Sequence, residues 1–154
     1  MTYWRMQLHP GGSREAVKHA ATSLSAGFIG LDFAEDVGDL MITDQLSLPQ
    51  GQRDCWSFAH EMAVGDKVLI ITHHFPLALV AVDSDYNYIR KPVPEIGVWF
   101  RHLRRVRDVF YYADLVTNAR SWESIKMTDT ISPLRSPASK SYRLIESWSE
   151  LGAR

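Results

Sequence analysis

The sequence predicts an α+β fold, a mixed β-pseudobarrel of five to six strands flanked by helices. Three observations carry that prediction. Residues 63–82, AVGDKVLIITHHFPLALVAV, hold two nearly continuous apolar runs, Val68–Thr72 and Leu77–Val82, and runs so rich in Val, Ile and Leu read as strands buried on both faces or as walls of a small barrel. Stretches with helical spacing lie near both ends of the chain. Between them, strand-like segments follow one another through turn signals, as in antiparallel neighbours with a helix on each side. With 154 residues and 45% hydrophobic content, the chain suits one domain, 1–154, with one core.

Taken in order, Thr2–Leu8 contains Tyr3, Trp4 and Met6 and is ended by His9-Pro10-Gly11-Gly12, which is a strand followed by a turn. Ser13 caps a helix whose Ala16, Val17, Ala20, Ala21 and Leu24 share one face, and Gly27 closes it. Phe28–Phe33 is the next strand. Asp32, set between Leu31 and Phe33, either points at solvent or is held for a purpose. From Glu35 to Asp54 the periodicity dissolves into Gly, Asp, Gln, Ser and Pro, giving a long loop able to cover a site. Trp56–Met62 reads as a short helix presenting Trp56 and Phe58 beside His60.

Gly65-Asp66 turns the chain into the first central strand, and His73-His74 stands at its end, where a barrel opens. Pockets favour such rims. Asp83–Pro94 is a polar connection carrying Tyr86 and Tyr88, whose alternation suits stacking. In Gly97–Arg107, read as a strand, Val98, Phe100 and His102 face one way while Trp99, Arg101, Leu103 and Arg105 face the other. Its Arg101, Arg104, Arg105 and Arg107 form either a charged strand edge or a set of phosphate contacts. Val109–Val116 is a further strand, Trp122–Met127 a shorter one, and Ser132–Lys140 a loop. The terminal helix, Ser141–Leu151, buries a stripe of Leu144, Ile145, Trp148 and Leu151.

Composition narrows the function classes. A net charge of −1 supplies no global field toward nucleic acid or an anionic membrane, so any phosphate contact is a local patch. The single Cys55 excludes an intrachain disulfide and suits a reducing compartment. No apolar run approaches the ~18 residues of a membrane helix, and MTYWRMQLHP lacks a charged n-region followed by an apolar core. A cytoplasmic protein without a membrane partner is expected.

Successive strand residues point to opposite faces, so His73 and His74 do not easily share one metal, and the other histidines are scattered. GxSxG, Walker A and GxGxxG patterns are absent. No catalytic residue, metal or cofactor is therefore assigned, and a binding module is favoured over an enzyme.

TYWRMQLHP, the Val-Gly-Asp turn with its two strands, and GVWFRHLRRV stand in the order found in EVE domains, and the chain resembles that family over about a third of its length. The resemblance implies a PUA-like barrel related to YTH domains. It also implies a pocket lined by aromatic residues that takes a modified, methylated base flipped out of DNA, with RNA also open as the ligand. Such modules occur as N-terminal specificity domains of McrB-like restriction systems, which implies a nuclease or GTPase partner. The segment FIGLDFAED departs from the family pattern: Asp32 matches, and Phe28 or Phe33 stands where an aromatic partner is expected.

On this reading Trp4, Phe33, Trp56 and Trp99 stack or wall the pocket, and Asp32 with His73 or His74 reads the base edge. Arg101, Arg104 and Arg105 hold the backbone. A methyl group alone is worth only about 1 kcal/mol of burial, so stacking at roughly 1–3 kcal/mol per aromatic contact must carry the affinity. Two alternatives come from other classes: an ASCH-like RNA-binding or ribonuclease domain, and a protein-interaction module using the Trp-bearing loops.

Overall fold

The computed structural model describes residues 1–8, 13–72, 74–112, 125, 127 and 129–152. Strand β1 (Tyr3–Gln7) alternates buried Trp4 and Met6 with half-buried Tyr3, Arg5 and Gln7. Helix α1 (Ser13–Ala26) stops at Gly27, whose φ of 87° only a residue without Cβ adopts readily. Strand β2 (Phe28–Leu31) follows at once. The long loop after it contains two short helical turns, Gln45–Ser47 and Arg53–Cys55, and leads into α2 (Trp56–His60).

Strands β3 (Lys67–Thr72) and β4 (Phe75–Val82) form a hairpin, with His74 at φ 70° in its turn. Then come β5 (Asn87–Tyr88), a helical turn at Pro94–Ile96, β6 (His102–Tyr111), β7 (Ile131–Leu134) and α3 (Lys140–Gly152). The strands make one mixed sheet in the order β2-β6-β4-β3-β1-β7, with β5 also paired to β6. The β1–β3 pair is parallel and the others are antiparallel. Among the described residues its path ends at β2 and β7, so the sheet is a half-barrel within an α+β fold.

The apolar central hairpin is buried on both faces, as its composition predicts. Val68, Ile70, Ala78, Val80 and Val82 join the main core with residues of α1, α2 and the long loop. Leu69, Ile71 and Leu79 face the other way and pack with Ile145 and Trp148 of α3. Burying a side chain of this kind is worth about 1.5–3 kcal/mol. A polar residue on either face would therefore weaken the sheet.

Four expectations are corrected. Gly97–Arg107 is not all strand: Gly97, at φ 83°, ends the Pro94–Ile96 turn and β6 begins at His102. Strand β6 then runs unbroken to Tyr111, joining two segments read as separate strands. The polar loop read at Ser132–Lys140 begins with β7, where Pro133 is tolerated because among the described residues β7 pairs with β1 alone and is an edge. Among the described residues there are seven strands instead of five to six, because β5 is only two residues long and β7 is four residues interrupted by Pro133. The strand expected at Trp122–Met127 lies outside the described residues apart from Ile125 and Met127. Among the described residues no helix is long and apolar enough to cross a membrane.

Candidate functional site

The start of β6 is where most of the chemistry gathers, and the local sequence explains why. Gly30 of β2 faces Phe100 so closely that a Cβ there would lie 2.0 Å from the Phe100 ring. That contact seats the chain entering β6 against β2, with Leu31 opposite His102. On the other side, Gly97 lies on α1, where its carbonyl accepts the Ser23 hydroxyl at 2.6 Å. A Cβ at Gly97 would stand 2.9 Å from the Thr22 carbonyl. The chain is thus pressed between α1 and β2, and Trp99 is laid over His19 in a parallel stack with centroids 3.9 Å apart.

Next to Trp99, the Arg101 Nε donates to Asp32 Oδ1 at 2.8 Å and its Nη2 to the Phe33 carbonyl at 2.9 Å. Asp36 lies 3.8 Å from the same guanidinium and accepts the Tyr88 hydroxyl on both carboxylate oxygens, at 2.7 and 2.6 Å. That hydrogen bond, ahead of the one from the Gly38 amide, holds the Asp36 carboxyl below its usual range, and it raises Tyr88 in turn. Two carboxylates face one guanidinium here, so this group is net negative. It suits the N–H groups of a base edge better than a phosphate.

Beneath it lies His102, fully buried, with its Nδ1 2.6 Å from the Tyr86 hydroxyl. Phe33, Tyr86 and Tyr88 surround the imidazole, with centroids 5.4, 5.9 and 5.4 Å away. Burial pushes His102 down to about 4, so it is neutral at physiological pH. The long loop covers this cluster, as expected of it. Leu40 is buried there and donates its N–H to Tyr86 at 3.0 Å, while its carbonyl lies 2.7 Å from His60 Nε2. His60 stacks on Trp56 at 3.8 Å, and the Trp56 indole donates to the Thr43 carbonyl.

The residues singled out from sequence divide accordingly. Asp32, Phe33, Trp99 and Arg101 come together, and Trp56 joins them through His60, Leu40 and Tyr86. Trp4 does not: it is 1% exposed and its indole donates to the buried carboxylate of Asp66 at 2.9 Å, which makes it a core residue. Arg104 is 2% exposed and donates to the carbonyls of Phe58, Met62 and Ser84, so its charge is turned inward and does not reach a phosphate. Arg105 is exposed and lies over the Phe28 ring.

His74 sits in the β3–β4 turn, at the Tyr111 end of β6. The other cluster is at the His102 end, on the order of 30 Å away along the strand at ~3.3 Å per residue. His73 lies outside the described residues. Three further groups, His19, Asp36 and His102, stand in the cluster without having been given a role from sequence, and Tyr86 and Tyr88 join them. The alternation of Tyr86 and Tyr88 was the signal for the tyrosines, and nothing in one sequence marks Asp36 within a loop of many acids.

No family model matches the chain, and no curated protein sequence matches it either. Among solved structures, the chain is similar to the YTH domain of the MRB1 protein of Zygosaccharomyces rouxii, determined in complex with N6-methyladenosine RNA. The TM-score is 0.50 at 10% sequence identity, and the match covers 98% of this chain and 86% of that one. The half-barrel with its flanking helices is therefore a YTH-like α+β fold.

Proposed function

We propose that this chain is a reader of modified nucleic acid, and that it takes a methylated base, flipped out of DNA, at the rim built by Trp99, Asp32, Phe33, Tyr88 and Arg101. The observation that carries the reading is the gathering at one sheet end of ring side chains and an ion-paired carboxylate, on a fold shared with a domain bound to methylated RNA. Both bonds to Asp32 fall on Oδ1. Its Oδ2 can therefore accept an N–H of the base edge, an amine that a single methylation leaves with one hydrogen.

Trp99 and His19 supply the stacking surface, and Trp56 buttresses the covering loop. The packed interior excludes a base from the centre of the half-barrel, so the ligand sits at the rim. Extruding a base costs a few kcal/mol, which one or two stacking contacts of roughly 1–3 kcal/mol each offset. Arg105, with exposed Arg90 and Lys91 on the loop after β5, holds the sugar-phosphate chain.

The reading extends to an EVE-type, PUA-like module acting in the cytoplasm beside a restriction nuclease or GTPase subunit, with no catalysis of its own. Binding by a panel of otherwise identical DNA and RNA oligonucleotides, unmodified or carrying methyl and hydroxymethyl marks on adenine or cytosine, tests it. Wild type should prefer one mark, and Trp99→Ala and Asp32→Ala should each abolish that preference with an unchanged circular dichroism spectrum. Equal preference in both variants would remove the site, and salt-independent or absent binding at low salt would favour a protein ligand instead.

A further inference from the structure

Burial keeps His102 neutral, and the hydroxyl of Tyr86 decides its tautomer. It accepts the Leu40 N–H at 3.0 Å and stands 2.6 Å from His102 Nδ1, and it has one proton to give. Donated to Nδ1, that proton satisfies both groups and leaves the neutral imidazole with its hydrogen on Nε2. The opposite tautomer would strand the Tyr86 proton and the Nε2 lone pair together. Yet Nε2 has no hydrogen-bond partner among the described residues, although His102 is fully buried. A buried donor without an acceptor costs about 1–3 kcal/mol, and such groups in native folds call for an explanation.

The ring lies under Tyr88, whose own tether is the bond to Asp36 at the surface. Both Asp36 and Tyr88 have solvent access, so the tether is the cheapest one around His102 to release. Phe33 and Tyr86 are held in the core. We infer that His102 Nε2–H is a donor kept for an acceptor atom of the bound base, a ring nitrogen or carbonyl oxygen, and that Tyr88 is the gate over it. This rests on the proposed reader function and adds the atom that distinguishes one base edge from another. Asp32 would then take an N–H from the base while His102 gives one, a complementary pair that a hydrogen-bonding edge with one donor and one acceptor satisfies.

The test uses the whole chain labelled with ¹⁵N-histidine and two short duplexes, one with a central N6-methyladenine and one with a central 5-methylcytosine. In the free protein the His102 Nε2–H should be observed as the neutral tautomer. Saturation with the preferred duplex should move that proton downfield. Among analogues of the preferred base that lack, in turn, each ring nitrogen acceptor and the carbonyl oxygen where it has one, one should weaken wild-type binding roughly tenfold and His102→Phe binding by less than twofold. If the duplex binds, by tryptophan fluorescence, and the Nε2–H resonance does not move, the inference is overturned while the reader function stands. Equal penalties in wild type and variant overturn it as well. Should His102→Phe fail to fold, the wild-type resonance decides alone. Binding to neither duplex nor their RNA counterparts would remove the reader function and the inference together.

Discussion

A single buried imidazole gives the most sharply defined behaviour at the residue scale. His102 is held down to about 4 by burial, against ~6.5 for an unperturbed histidine. Because the folded value is the lower one, the unfolded chain binds the extra proton between these limits, and stability rises with pH across them. The contribution is full above pH ~6.5 and is lost as pH falls toward 4, about 2 kcal/mol being gone by pH 5. Urea denaturation at pH 7.5 and pH 5 checks this, with His102→Phe showing a smaller drop than wild type. An equal drop in both would mean that His102 is not the group responsible. Asp32 was visible in the sequence because a carboxylate inside FIGLDF is out of place. The opposite held for His102, whose burial depends on Phe33 after β2 and the Tyr86–Tyr88 stretch meeting around it from two separate segments.

At the scale of elements, Arg104 shows how a basic run can mislead. The spacing of Arg101, Arg104, Arg105 and Arg107 cannot say which guanidinium points inward, because that depends on what packs over β6. The C-terminal turn of α2 packs there, and a helix end leaves carbonyls without intrahelical donors. Arg104 supplies those donors to Phe58 and Met62, and another to Ser84. Arg104→Met should therefore destabilise the fold by about 3 kcal/mol, several carbonyls losing their partners at once, with no effect on the salt dependence of nucleic-acid binding. Arg105→Ala should do the reverse: stability within about 0.5 kcal/mol of wild type and a salt slope reduced by about one phosphate contact. Paired denaturation and salt-titration measurements distinguish the two. A reduced slope in Arg104→Met with unchanged stability would contradict the inward placement.

Over the whole molecule, the most legible feature was the central hairpin. Its uninterrupted apolar residues predict burial on both faces, and α1, α2 and the loop on one side with α3 on the other provide it. The α1 boundaries were legible for the same reason, a helical face ending on a glycine. Short strands were not: β5 is two residues and β7 contains Pro133, so neither shows an alternating pattern. The candidate site was half legible. Aromatic and charged residues of the β6 entry stood out, whereas their assembly depends on Gly30 and Gly97 admitting close contacts that no local pattern announces. His73-His74 looked like a rim because the pair follows an apolar strand; His74 does stand in the β3–β4 turn, but at the other end of the sheet.

The proposed reader function places the base where β2 and β5, the strand carrying Tyr88, meet the start of β6. Its most direct test is photocross-linking with a duplex whose marked base carries a photoreactive group, followed by mapping of the modified peptide. The account predicts attachment within residues 86–102 or at His19, lost when excess unlabelled marked duplex competes. Attachment at the β3–β4 turn around His74, or in the cleft of about 520 Å³ beside Tyr3, Arg135 and Tyr142, would contradict it.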